Sequence, residues 1–255
     1  MKKLLIKILT TGLCGVIASA LTQKAGAANL VQNGSFETVT GGTGGQLDYN
    51  GFAATDWATT GYNFLMQSGS ADTTGEPGID GFVAFWGPND GSANGLPATS
   101  PDGGNYVALD SYLAPGGGIA VAALTQTING LTPGQTYALS FYWAGAQEYN
   151  YGGATTDQLL VSLGSQTDDT AIVALASHGF SGWAQTTLDY TASSTSEVLS
   201  FLATGTPPVS DPPFVFLDGV SLTTTSSVPD TASTAMLFGC AATVLGFAAR
   251  RYHRQ

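Results

Sequence analysis

The chain has 255 residues, 43% of them hydrophobic and only 10% charged, with a formal charge of −11. Its seven Lys and Arg are Lys2, Lys3, Lys7, Lys24, Arg250, Arg251 and Arg254, so residues 28–227 carry seventeen acids and no Lys or Arg. Such a body cannot neutralise phosphates, which excludes nucleic acid and anionic lipid as partners and argues against phosphorylated cofactors; crowded carboxylates instead favour a shared divalent cation.

Met1-Lys2-Lys3, an apolar run from Ile8 to Leu21 and the small-residue triplet Ala25-Gly26-Ala27 have the order of a secretory signal. Residues 1–27 are therefore expected to be removed, with cleavage after Ala27 or Ala28. Cys14 lies in that segment and Cys240 near the other end, so the body between has no disulfide and must be stabilised by core burial.

From 28 to 222 short β-prone runs alternate with turn-rich loops, and no sustained helical period occurs. Strands are expected at 30–38, 62–66, 81–85, 106–109, 119–128, 136–144, 158–163, 184–190, 197–203 and 214–222. In the clearest, Tyr137, Leu139, Phe141 and Trp143 share one face and Ala138, Ser140 and Tyr142 the other. The turn Leu131-Thr132-Pro133-Gly134 precedes it. Ten short strands with long glycine-rich connections predict an all-β, two-layer jelly-roll β-sandwich. The loops at 39–61, 86–104 and 145–157 are the expected place for binding.

Four features in those strands and loops carry chemistry. Glu37 and Asp218 each sit inside an apolar strand, and neighbouring buried carboxylates repel unless they are protonated or metal-bound, which makes them candidate Ca²⁺ ligands. Asp90-Gly91-Ser92-Ala93-Asn94-Gly95 opens like a calcium loop, but Pro101 stands where a bidentate glutamate is needed, so an ordinary turn is expected. In Gln147-Glu148-Tyr149-Asn150-Tyr151-Gly152, the rings of Tyr149 and Tyr151 suit the C–H faces of a sugar and Glu148 its hydroxyl groups; Tyr142 extends this candidate site. His178, the body's single histidine, has no nucleophile elbow around it and reads as an exposed turn residue.

Residues 223–227 form a linker, and 228–255 a tail in which 232–249 is uncharged and apolar and is followed by Arg250-Arg251. Eighteen helical residues span about 27 Å, close to a bilayer core, and the arginines belong on the cytoplasmic side. A transmembrane helix at 232–249 is expected, anchoring the chain in the inner membrane before processing.

The motif Val228-Pro229-Asp230-Thr231-Ala232, with its membrane segment and arginine cluster, resembles the PEP-CTERM sorting signals of the Val-Pro-Asp-Ser-Gly type, departing at Thr231 and Ala232. The resemblance implies processing near Val228, Pro229 and Asp230 by an exosortase-type membrane transpeptidase, and delivery to the envelope or extracellular matrix of a Gram-negative bacterium. The body resembles galactose-binding-like and carbohydrate-binding-module jelly rolls through Asn29–Glu37, Trp57, Leu131–Tyr137 and Phe216–Leu222. That resemblance implies adjacent first and last strands and a structural Ca²⁺ at Glu37 and Asp218. The expected function is non-enzymatic, an exported surface or matrix protein binding extracellular polysaccharide. The alternatives are a glycan hydrolase or lyase using a carboxylate pair and a structural coat protein without a specific ligand.

Overall fold

The computed structural model describes residues 28–42, 44–72, 83–111, 113–114, 118–119, 123–207 and 213–225. The expected signal, transmembrane helix and sorting motif lie outside them. Among the described residues there is no α-helix; a 3-10 turn occurs at Pro88–Asp90.

Five short strands come first: β1 (Val39–Thr40), β2 (Gly45–Gln46), β3 (Ala53–Ala54), β4 (Ala58–Thr59) and β5 (Asn63–Met66). Then follow β6 (Tyr106–Asp110), β7 (Leu113–Ala114), β8 (Gly118–Ile119), β9 (Ala123–Asn129), β10 (Thr136–Gln147) and β11 (Thr155–Leu163). The last are β12 (Gln166–Asp169), β13 (Val173–Leu175), β14 (Ala184–Thr191), β15 (Ser196–Thr206) and β16 (Pro213–Thr224). One main sheet has the order β14-β10-β16-β6-β5-β2 and the other β12-β11-β15-β9-β4, with β13 also on β11. Because β9, β11 and β15 lie in one layer while β10, β14 and β16 lie in the other, the chain crosses repeatedly between sheets, as a jelly roll requires. The all-β sandwich is thus the observed fold.

The inter-sheet core takes alternate residues from both layers. Leu139, Phe141 and Trp143 on β10 and Val215 and Leu217 on β16 meet Leu159, Val161, Leu199 and Phe201 from the opposite sheet. Phe141 and Phe201 pack edge to face with centroids 5.2 Å apart, and Trp57 extends the stack towards Phe36.

A second core covers the outer face of the first sheet. Phe64, Met66, Tyr106, Ala108, Phe214 and Phe216 point away from the first core and are roofed by loop residues, among them Phe85 and Leu96. Phe85 meets Phe214 and Phe216 edge to face at 5.0 and 4.7 Å. Burial on both faces explains why β5 and β6 read as largely apolar runs, whereas along β11, half-buried on one face, burial alternates strictly.

Two expectations need correction. Residues 30–38 are not a strand: Asn33 and Phe36 take φ of 49° and 55°, breaking the extended backbone. The segment still lies against the end of β16, since Leu30 N–H donates to the Leu222 carbonyl at 2.9 Å and Val220 N–H to that of Gly34 at 3.0 Å. The expected strand at 81–85 contributes, among its described residues, a single bridge between Phe85 and Glu148.

Candidate functional site

Two groups of the expected site residues are built by the fold, at different places along β10. The first surrounds Asp218. Register pairs Tyr142 of β10 with Asp218 of β16, after which the ladder slips so that residues 219 and 220 face the single residue 141. This bulge puts Gly219 at φ 59°, where a Cβ would lie 2.9 Å from the Tyr142 ring and 3.2 Å from Asp102 Cβ. Asp218 is fully buried beside it.

A loop from far earlier in the chain closes over Asp218. Ser100 Oγ donates to Asp218 Oδ2, while Asp218 Oδ1 has no hydrogen-bond partner. Gly104, at φ 63°, lies directly beneath the Glu37 carboxylate, which accepts the Asn105 N–H at 2.6 Å. Burial pushes the Asp218 carboxyl up to about 7; the hydrogen bonds from Ser100 and Gly219 oppose this, and the charges of Asp102 and Glu37 add to it. Glu37 and Asp218 therefore share one electrostatic neighbourhood, joined by Ser100 and Asp102, which sequence spacing did not reveal. Among the described residues no three His, Cys, Asp or Glu side chains form a ready metal centre. A hard cation here would rest on the Glu37 and Asp218 carboxylates together with backbone or solvent oxygens, and the orphaned Oδ1 is the atom that fits it.

The second group lies where β10 ends. Gln147 is fully buried and ties two loops together. Its Nε2 donates to the Gly153 carbonyl at 3.1 Å and to Thr155 Oγ1 at 3.0 Å, and its Oε1 accepts the N–H groups of His178 and Gly179. Residues 84–86 run alongside: Tyr149 N–H donates to the Ala84 carbonyl at 2.8 Å and Trp86 N–H to that of Gln147 at 3.0 Å.

Trp86 becomes the hub of an aromatic cluster. Its ring stacks on His178 at 3.8 Å with a 24° tilt, meets Tyr149 edge to face at 4.7 Å, and donates from Nε1 to the Tyr151 carbonyl at 2.7 Å. Asn94 Nδ2 and Ser92 Oγ donate to the His178 carbonyl at 3.0 and 2.9 Å, so the turn that opens like a calcium loop serves as a brace. Glu148 and Tyr149 are half-buried, and the Tyr151 side chain is 41% exposed. An open groove of about 500 Å³ runs beside the cluster, lined by Asn94, Leu175, Gly179, Phe180 and Ser181 among others.

The structure thus gathers Glu148, Tyr149 and Tyr151 but not Tyr142. Tyr142 and Glu148 are six residue steps apart along an extended chain, roughly 20 Å at about 3.3 Å per residue, and Tyr142 belongs to the Asp218 neighbourhood. His178 is half-buried and clamped at φ 63°, not a freely exposed turn residue. The pairing of Trp86 with His178 carries no signal in the sequence, because each stands alone in its own loop.

No family model matches the chain. Halomucin from Haloquadratum walsbyi (strain DSM 16790 / HBSQ001) is 30% identical over 210 residues, which is 80% of this chain and 2% of halomucin. The chain therefore spans about 2% of the length of that relative. Among solved structures, the CBM22-1 xylan-binding domain of Paenibacillus barcinonensis Xyn10C aligns with 80% of this chain and 98% of its own, at 9% identity and a TM-score of 0.40. The K1 cleaved adhesin domain of Lys-gingipain from Porphyromonas gingivalis W83 aligns with 75% of this chain and 96% of its own, at 15% identity and a TM-score of 0.40.

Proposed function

We propose that the chain is an exported, non-enzymatic surface or matrix protein that binds extracellular polysaccharide through the Trp86 aromatic cluster. The observation that carries this reading is the clamping of Tyr149, Tyr151, Trp86 and His178 around one buried glutamine beside an open groove. Rigid aromatic faces next to amide and carboxylate oxygens are what a sugar ring with apolar C–H faces and equatorial hydroxyls requires. The absence of Lys and Arg from residues 28–227 favours neutral over acidic glycans.

Ca²⁺ at Glu37 and Asp218 belongs to the same proposal. Those two carboxylates would hold it, and it would neutralise repulsion between the N-terminal segment and β16, locking them together. Asp218 is too enclosed to serve a hydrolase: a carboxyl near neutrality suits a general acid, but this one is fully buried under Ser100, out of reach of a substrate arriving from solvent. Export, inner-membrane anchoring and exosortase-type processing at Val228, Pro229 and Asp230 are supported by the signal-like start, the tail motif and the confinement of Lys and Arg to the two ends. The stretch similar to halomucin supports an extracellular setting.

The test is binding of the full-length protein, in detergent, to xylan, cellulose, mannan and α-glucan. Tyr151→Ala is expected to lower affinity about tenfold, equivalent to 1.4 kcal/mol, without moving the melting midpoint. Binding left intact by both Tyr149→Ala and Tyr151→Ala, or release of shortened sugar products, would contradict the proposal.

A further inference from the structure

A second cavity lies at the opposite edge of the first sheet. Four strand spacings of about 4.8 Å separate β2 from β10, so the cavity lies roughly 19 Å across the sheet from the strand whose end carries the Trp86 cluster. It encloses about 360 Å³ and is lined by Gly41, Gly45, Gln46, Tyr49, Asn50 and Phe52, among others. That volume is at the small end of ligand pockets, enough for one or two sugar rings.

The cavity wall is held rigidly. Leu47 N–H donates to the Asn63 carbonyl on β5 at 2.8 Å, Asp48 N–H to that of Phe52 at 2.8 Å, and Phe52 N–H to that of Tyr49 at 2.9 Å. Asp48 and Asn50 take φ of 61° and 50°, a conformation that asparagine and aspartate tolerate better than most residues. Gly41 packs its backbone so closely on the Gly51 carbonyl that a Cβ at Gly41 would collide with it. A loop fixed in this way loses little conformational entropy when a ligand arrives.

Its chemistry is selective. Phe52 is buried and Tyr49 is 46% exposed, so an apolar floor meets an accessible ring. The side chains of Gln46 and Asn50 each supply donors and acceptors, as paired sugar hydroxyls require. Among the described residues lining the cavity none is charged, although the surrounding body carries seventeen acids. An anionic ligand would meet repulsion and no counter-cation, and a cation would find no carboxylate in the lining. We propose that this cavity is a second, independent binding site for a neutral sugar residue, giving the domain two contact points on polysaccharide.

The experiment is saturation-transfer NMR and calorimetry on the full-length protein in detergent. The probes are methyl glucoside, methyl galactoside, methyl mannoside and methyl xyloside, with sodium glucuronate as the anionic control. Asn50→Gly keeps the positive φ and removes the amide; Tyr49→Ala removes the ring. At least one neutral glycoside is expected to bind, to lose about tenfold in affinity in either variant, and to bind unchanged in Tyr151→Ala. Glucuronate is expected not to bind. The proposal is overturned if no neutral probe binds, if glucuronate binds equally well, or if only Tyr151→Ala weakens binding; this last result would leave the Trp86 site standing.

Discussion

At the scale of single residues, Asp218 is the most consequential group. An unfolded Asp ionises near pH 4, whereas burial holds the folded carboxyl at about 7. The folded state therefore keeps a proton that the unfolded state releases, and metal-free stability must fall as pH rises through that window. Melting midpoints of the metal-free protein should decline from pH 4 towards pH 7, and Asp218→Asn should flatten the decline. Calcium at pH 7 should raise the midpoint of the parent and leave that of Asp218→Asn unchanged; a midpoint indifferent to calcium and chelator contradicts the metal assignment. That Glu37 and Asp218 share one neighbourhood was legible, because acids inside apolar runs demand a reason. Ser100 and Asp102 were not, because the loop that delivers them is set by tertiary closure over a partner 118 positions away in the case of Ser100.

At the scale of elements, the roof over the first sheet links stability to the site. Phe85 anchors that roof between Phe214 and Phe216, and the next residue is Trp86. Phe85→Ala should cost about 3–5 kcal/mol, the usual range for emptying a buried phenylalanine position. It should also weaken polysaccharide binding, as urea titration and affinity electrophoresis would show. Stability loss without weaker binding would separate the roof from the site. The alternation along β10 was readable in the sequence because Leu139, Phe141 and Trp143 place one face in the inter-sheet core; along β11 burial alternates while the residue types do not, since Leu159, Leu160 and Val161 are consecutive. By contrast β12, Gln166–Asp169, has no apolar signal and exists by pairing with β11. The segment 30–38 has strand composition, yet left-handed residues at Asn33 and Phe36 turn it so that Phe36 plugs the core beside Trp57.

For the whole molecule, the decisive pattern is where charge is placed. A body of seventeen acids without Lys or Arg, with every one of these cations confined to residues 1–27 and 228–255, favours neutral or cationic partners and is the pattern on which the proposed export rests. The layer architecture followed from strand count and glycine-rich loops, while the second core did not, because continuous apolar runs leave open what covers their outer face. The most direct test of the account is mass spectrometry of the protein recovered from fractionated cells of its host. A surface or matrix species beginning at residue 28 or 29 and ending near Val228-Pro229-Asp230 is expected; an intact, unprocessed chain confined to the cytosol would contradict it.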